Sequence, residues 1–476
     1  MGTAQNDILS IDLPFAAGQQ MTIPISKPYE SPLQKAMEEE TTRKKPIARL
    51  VSLDAFRGFV MLMMASEGFA IARVWSKHKD TILSSGQSEA LWDTMAYQLS
   101  HVPWVGCAFW DLIQPAFMFM VGVSMPFSYA KRARKGQHGL GRFLHALLRS
   151  LILIMMGVFL YSVGDPMTHF KLVNVLTQIG LGYIFVYLLV GRSSGVQMLA
   201  IITILGGYGY WFYDYQIPEQ ERTDLYAWLE KEGYDPAEEV EIFENNYAAH
   251  WNKHTNAAAG FDREWLNKLP RFEEEFRGKK FWANTGGYTT LNFIPSIATM
   301  IFGLIAGQLL IGPDTEQRKC RVLFASGFIL LLAGMLMDTH IWPINTGEWG
   351  WTATPIIKRI WTPTWAIFST GWVFLMMGVF FLIFDVLKVK RLGFPLVVVG
   401  MNSIVFYLMA SLIHGWTGRN LETHMATIDA AFNTSLIPIF FSETNVYAPI
   451  NESLLILFTM WLIVFWMYRR KLFIRV

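Results

Sequence analysis

Apolar runs near twenty residues long recur along this chain, and they constrain its fold more than any other feature. They fall at roughly 52–74, 105–129, 143–162, 172–191, 196–213, 289–311, 321–339, 363–387, 393–415 and 449–468. A helix rises 1.5 Å per residue, so ~20 such residues cross a hydrocarbon core of about 30 Å. Backbone N–H and C=O groups in lipid must be satisfied within the protein, which leaves helices or a closed barrel. Barrel strands would alternate over about ten residues, whereas these runs are longer and unbroken. The expected fold is therefore an all-α polytopic integral membrane protein of about ten transmembrane helices. Composition agrees, because only 16% of the 476 residues are charged against about 25% in soluble domains. A net charge of +2 leaves no nucleic-acid footprint.

Lys and Arg in short loops set the expected orientation. One set of alternate loops holds Lys131, Arg132, Arg134, Lys135, Arg142, Arg318, Lys319, Arg321, Lys388, Lys390, Arg391 and the terminal Arg469-Arg470-Lys471. These loops should face the cytoplasm, as should both termini. Residues 1–45 are polar, lack a charged start followed by an apolar run, and read as a cytoplasmic tail without a cleavable signal peptide. Residues 46–476 read as one transmembrane domain. The opposite set of loops includes the one carrying His101 and a long polar insert at 214–288. Its acidic stretches (Glu238-Glu239, Glu273-Glu274-Glu275) do not upset the assignment, because long loops cross regardless of charge. A small extracytoplasmic cap is expected, with Trp228, Trp251, Trp265 and Trp282 packing in its core in preference to forming a sugar-binding surface. Cys107 and Cys320 fall on opposite sides, so neither a disulfide nor a metal site is expected.

Within the second run lies Asp111, and an ionised carboxylate in a spanning helix costs about 2.5–3.5 kcal/mol on insertion scales. Such a residue is functional by default, or else pairs with a basic residue on a neighbouring helix. His101 stands just before the run, at the expected membrane edge. In the first run Asp54 and Arg57 are three apart and share a helix face. They read as an insertion anchor or as part of a polar ring for a large anionic ligand.

Taken together, several short motifs resemble the heparan-α-glucosaminide N-acetyltransferase family of transmembrane acetyltransferases, in its bacterial form. They are Arg49-Leu50-Val51-Ser52-Leu53-Asp54-Ala55-Phe56-Arg57-Gly58, then His101, Trp104, Gly106, Asp111-Leu112, Pro115 and Gly122. Asn256-Ala257-Ala258-Ala259-Gly260-Phe261-Asp262-Arg263 follows, then Gly400-Met401-Asn402-Ser403-Ile404 and Tyr468-Arg469-Arg470-Lys471-Leu472-Phe473. They keep the family's order from about residue 49 to the C-terminus. The resemblance implies acetyl transfer from cytosolic acetyl-CoA to a sugar or glycan acceptor across the membrane, in a bacterial inner membrane. Its active-site histidine maps onto His101, its D-L aspartate onto Asp111 and its G-M-N-S asparagine onto Asn402. Four departures stand out. Ser66, beside Glu67, replaces a family asparagine. Val175-Leu176-Thr177-Gln178 lacks the arginine of the family's V-L-Q-R. An extra segment precedes His101 at about 77–99. The animal enzyme's first helix and lumenal domain have no counterpart here.

Histidine, with an ordinary pKa near 6.5, suits removal of a proton from a sugar amine or hydroxyl at neutral pH. Asp111 would orient His101 if the loop folds back. Glu67 would serve equally well as orienter or second base, and Asn402 as an oxyanion donor. Phosphates of acetyl-CoA would meet Arg57, Lys131, Arg132, Arg134, Arg142 and Arg149 on the cytoplasmic side, each of which also reads as a positive-inside anchor. Asp338, His340, Trp342, His414, Trp416 and His424 lie near outer helix ends as candidate acceptor contacts. The partners expected are acetyl-CoA, a glycan acceptor, the bilayer and a second copy as a homodimer. A competing reading is a transporter with Asp54, Glu67, Asp111 and Asp338 along its path, although no internal repeat supports it. A third is a non-catalytic scaffold presenting the insert.

Overall fold

Helix starts are written plainly in this sequence. Asn174, Ser193, Thr315 and Thr362 each accept a hydrogen bond from the backbone N–H three residues on, which satisfies one of the orphan donors of a first turn. The structure, a computed structural model, describes residues 50–240, 242–243, 247–269, 275–276, 279–280, 283–339 and 353–474, with backbone only at 247, 275–276 and 279–280. The expected tail at 1–45, Glu273-Glu274, Trp282, His340 and Trp342 lie outside the described residues, as does the Glu275 side chain.

The chain opens with α1 (Val51–Ala65), a tight turn at Glu67–Ala70, and a helical pair, α2 (Ile71–Ser84) and α3 (Glu89–Gln98). A loop then runs through a 3-10 turn (Phe109–Leu112) into α4 (Ile113–Arg134), followed by α5 (Gly139–Ser162), α6 (Val175–Leu188) and α7 (Ser194–Asp214). The insert carries α8 (Glu219–Lys231), α9 (Pro236–Val240), α10 (Ala257–Leu266) and a minimal antiparallel pair, β1 (Glu275–Phe276) with β2 (Lys279–Lys280). Then come α11 (Phe293–Ile311), α12 (Glu316–Met337), α13 (Pro363–Phe381), α14 (Lys390–Met401), α15 (Ser403–Phe432), α16 (Leu436–Phe440) and α17 (Ala448–Arg469).

Among the described residues seven helices are long and apolar enough to cross a membrane, or up to nine if each of two bent pairs is one span. The all-α membrane-embedded class expected from the apolar runs is therefore what the fold shows. The run at 52–74 is not one helix: α1 and the segment after it are bent by 42° around Ser66. The run at 393–415 breaks at Asn402, where α14 and α15 meet at 69°. α6 is apolar but only 14 residues long, because Asn174 caps it at one end and Gly191 (φ +81°) lies just past the other. Leu144, Leu147, Leu148, Leu151, Met155 and Phe159 form an exposed stripe along α5, the face expected of a helix solvated by lipid.

α4, α11 and α13 form the enclosed interior of the bundle. The crossing of α4 and α11 depends on missing side chains. A Cβ on Gly122 would lie 1.9 Å from the Met300 carbonyl oxygen, and one on Gly303 would lie 2.0 Å from that of Phe119. In lipid no hydrophobic effect drives helices together, so close backbone approach supplies the dispersion contacts instead.

The loops separate to two ends of the bundle. At one end Trp104 Nε1 donates to the Trp251 carbonyl (3.1 Å) and Gly106 N–H to that of Ile356 (2.9 Å), joining the His101 loop, the insert and the loop before α13. At the other end both Asp385 carboxylate oxygens accept the Val51 and Ser52 N–H groups that begin α1. The insert is built on ordinary cores. Trp251 stacks on Phe212 at 4.6 Å, and Trp228 packs with Leu225, Leu229, Val240 and Ala283. Trp265 is exposed beside Lys268.

Gly303→Leu should prevent the α4–α11 approach. Its expected outcome is a lower thermal midpoint and loss of the monodisperse species in detergent, whereas Gly139→Leu, at a position with open space, should leave both unchanged.

Candidate functional site

Asp111 makes the His101 loop a defined object. Pro103 and Gly106 (φ +117°) keep residues 99–108 out of a helix, so the backbone N–H groups there need partners from elsewhere. Asp111 Oδ2 accepts two of them, from Ala108 (3.1 Å) and Val102 (3.3 Å). Its Oδ1 lies 2.7 Å from His101 Nδ1 and 3.1 Å from Lys358 Nζ. The loop thus folds back on the start of its own helix, as an Asp111–His101 contact requires. A short antiparallel bridge between Val105 and Ile357 brings Lys358 alongside. Trp104, buried against the insert, anchors the loop's middle. In the H-x-x-W-x-G pattern the Trp is the anchor, the Gly is the turn and the His is left facing open space.

His101, Asp111 and Lys358 form one compact group. The Asp111 and Lys358 side chains are 1% and 5% exposed, whereas that of His101 is 42% exposed. Asp111 accepts the Nδ1 proton of His101 as well as a proton from the Lys358 ammonium. Lys358 Nζ lies 3.0 Å from His101 Nδ1, but an Nδ1 that donates to Asp111 cannot also accept from Lys358. That tautomer leaves the His101 Nε2 lone pair as the basic position. Burial lowers the His101 pKa; the Asp111 hydrogen bond opposes this, while Lys358 and Arg359 act in the same direction as burial. Asp111 therefore does pair with a basic residue, and that residue shares it with the histidine. Arg359, next in the chain, donates to the carbonyls of Gly286 (2.8 Å) and Val102 (3.4 Å), clamping the insert's exit to the same loop.

His101 and Lys358 open onto a cavity of about 510 Å³. Its walls come from the end of α1 (Met64), the left-handed turn (Glu67), α4 (Ile113, Gln114, Phe117), α5 (Tyr161) and the start of α6 (Val173, Asn174, Val175). Trp110, Tyr288 and Tyr407 complete it. A lining of mostly apolar and aromatic side chains with a few convergent polar groups is the usual make-up of a small-molecule site.

The remaining candidates fall in three places. Glu67 joins the cavity, with its nearest ion-pair partner His414 Nδ1 at 3.9 Å. Asn402 does not line it: its Nδ2 donates to the Leu472 carbonyl (3.0 Å) and its Oδ1 accepts from Ile474 N–H (3.1 Å). The amide needed for an oxyanion donor is engaged with the C-terminal segment at the opposite end. Asp338 accepts the Ile356 N–H at 2.7 Å, which positions the segment leading to Lys358. The third place holds the basic residues. Arg57 donates to Ser124 Oγ (2.7 Å) and pairs with Asp54. Arg132 meets His145 at 2.6 Å. Arg142 stacks over Tyr129, and Arg149 over Tyr183 while donating to its hydroxyl. Lys131 and Arg134 are exposed. His424 and Trp416 are exposed on α15 and line no part of the cavity.

Asn256 caps α10, and Asp262 Oδ2 accepts the Thr290 N–H (2.8 Å), so the Asn256–Arg263 motif ties the insert to the start of α11. Gln178, where the family has arginine, shares its Nε2 among the carbonyls of Leu172, Thr289 and Thr290. The amide there holds the same junction from α6. Lys358 was not among the residues singled out from sequence. A signal for it existed: Lys358-Arg359 is a pair of cations in a loop that the positive-inside rule assigns to the outer face, where cations are disfavoured.

Lys358→Met should raise the His101 pKa, because it removes a neighbouring positive charge and leaves Asp111 to favour the imidazolium. A titration of isotope-labelled histidine by NMR reads this directly. The same variant should lower the thermal midpoint, since removing one partner of a buried ion pair costs about 3–5 kcal/mol. Compared with protein-family models and with curated proteins, the chain matches none.

Proposed function

We propose that this protein is a transmembrane acetyltransferase that moves the acetyl group of acetyl-CoA to a sugar or glycan acceptor, with His101 as general base. The observation that carries the reading is the His101–Asp111 pair, which leaves Nε2 free at the mouth of a cavity large enough for an acceptor ring. In the proposed step the acceptor's amine or hydroxyl gives its proton to Nε2 and attacks the thioester carbonyl. The carbon–sulfur bond breaks, a new carbon–nitrogen or carbon–oxygen bond forms, and the proton leaves His101 for the departing thiolate. Asp111 holds the imidazole in the tautomer that this requires, worth about 10²–10⁴-fold in an oriented base. Lys358 keeps Asp111 ionised without itself being the base.

Acetyl-CoA carries phosphates, and the basic end of the bundle has groups suited to them. Arg142 Nε and Arg149 Nε are buried and without a hydrogen-bond partner, an arrangement that costs free energy unless an anion or water completes it. With Arg132, which meets His145, and Arg57, which donates to Ser124, these guanidinium groups would hold the nucleotide phosphates. This assigns the basic end to the cytoplasm and the His101 end to the outer face of an inner membrane, which agrees with the distribution of Lys and Arg. A transporter remains the competing reading, and the same assay separates the two.

Purified wild type should transfer label from acetyl-CoA to members of a panel of amino sugars and oligosaccharides, and His101→Ala should lose at least about 10²-fold in kcat. Absence of both label transfer and acetyl-CoA binding in the wild type would remove the acetyltransferase reading. Arg142→Ala and Arg149→Ala should raise the KM for acetyl-CoA with little change in kcat, as loss of uniform binding does.

A further inference from the structure

Glu67 begins a run of four residues with positive φ: Glu67 (46°), Gly68 (68°), Phe69 (53°) and Ala70 (57°). A left-handed conformation is unfavourable for each non-glycine residue, because its Cβ crowds the following carbonyl oxygen, so three such residues store appreciable strain. The surroundings enforce it. Ser453 Oγ donates to the Ser66 carbonyl at 2.9 Å, in a buried position, and Phe69 N–H donates to the same oxygen at 2.7 Å. Gly68 lies so close to the end of α3 that a Cβ there would be 2.4 Å from the Leu99 carbonyl oxygen. Strain that is over-determined in this way accumulates at functional sites.

The result of the turn is the placement of one carboxylate. Glu67 is 59% exposed, lines the cavity that His101 and Lys358 share, and has its nearest ion-pair partner, His414, 3.9 Å away, beyond hydrogen-bond reach. Beyond it Glu452 lies among the charges of Glu67, Glu422, Arg73 and His414. The cavity therefore has Lys358, neutralised by Asp111, on one side and the Glu67 carboxylate on the other, with aromatic rings between.

We propose that Glu67 sets the charge selectivity of the acceptor end of this cavity. Its carboxylate takes the hydrogen-bond-donating groups, ammonium or hydroxyl, of a neutral or cationic sugar ring. A ring bearing a carboxylate or sulfate is turned away, because like charges brought together at the cavity wall repel. The inference rests on the acetyltransferase reading for the identity of the site, but not for the charge preference.

Three probes of similar ring size test it: glucosamine, glucose and glucuronate. Their binding to full-length protein in detergent is measured by calorimetry without acetyl-CoA, and their acetylation is measured with labelled acetyl-CoA. Wild type should bind glucuronate at least about tenfold more weakly than glucosamine, and Glu67→Gln should narrow that ratio by about fivefold or more. In turnover the change should appear in the ratio of the KM values for the three probes. Raising ionic strength should narrow the wild-type ratio too, which keeps the test available if the variant fails to fold. Equal selectivity in wild type and Glu67→Gln, or no binding of any probe, overturns the proposal. Glu67-dependent binding without label transfer keeps the charge selectivity and removes the acetyltransferase reading. Label transfer with unaltered selectivity does the reverse.

Discussion

A carboxylate buried in an apolar bundle has to be compensated completely, and the arrangement around Asp111 is what that requirement produces. Two backbone N–H groups, one imidazole and one ammonium converge on its two oxygens. Each of those donors belongs to a segment that would otherwise be loose. Val102, Ala108 and His101 lie on a loop without regular structure, and Lys358 lies on another, far along the chain. Desolvation of an isolated carboxylate costs several kcal/mol even after relaxation, so neither loop can depart without exposing the other to that cost. The catalytic geometry proposed for His101 is a by-product of the same compensation.

Rigidity then spreads outward from this point. Val105 pairs with Ile357, Trp104 is sunk into the insert, and Arg359 holds the insert's exit against the His101 loop. Asp338 fixes the approach to Ile356, and through it the end of α12. The insert is thereby part of the site's framework rather than an appendage, although its tryptophans serve its own cores. The bundle beneath is held by a different interaction: close backbone contact at glycines, as between α4 and α11. Polar compensation at the rim and dispersion in the interior are separate forces, which fits a protein whose middle is in lipid and whose candidate site is at one end.

The apolar runs made the all-helical membrane fold legible, because a helix-length hydrophobic segment has few other ways to satisfy its backbone. The prominence of His101 and Asp111 was legible for a related reason, since a carboxylate so close to lipid needs a purpose. Other features were not. The break after Ser66 lies inside a run that reads as continuous, because hydropathy carries no information about φ. Asn402 sits in a motif that suggests chemistry, yet its amide binds the chain's own C-terminal segment. The tryptophans of the insert would suit a ligand surface as well as a core, and Trp228 and Trp251 prove to be core.

Sequence alone determined the class of fold and pointed to His101 and Asp111 as the centre of a candidate site. These follow from local quantities: hydropathy, segment length, and the cost of a charge in a nonpolar medium. Only the tertiary structure decided that Lys358 completes the group, that Glu67 is held at the cavity wall by a left-handed turn, and that Asn402 is elsewhere. Those outcomes depend on contacts between segments separated by up to hundreds of residues, such as Lys358 with Asp111 at a separation of 247. No local property of either segment encodes such a pairing; it exists because the packed helices bring two otherwise uncompensated charges to the same place.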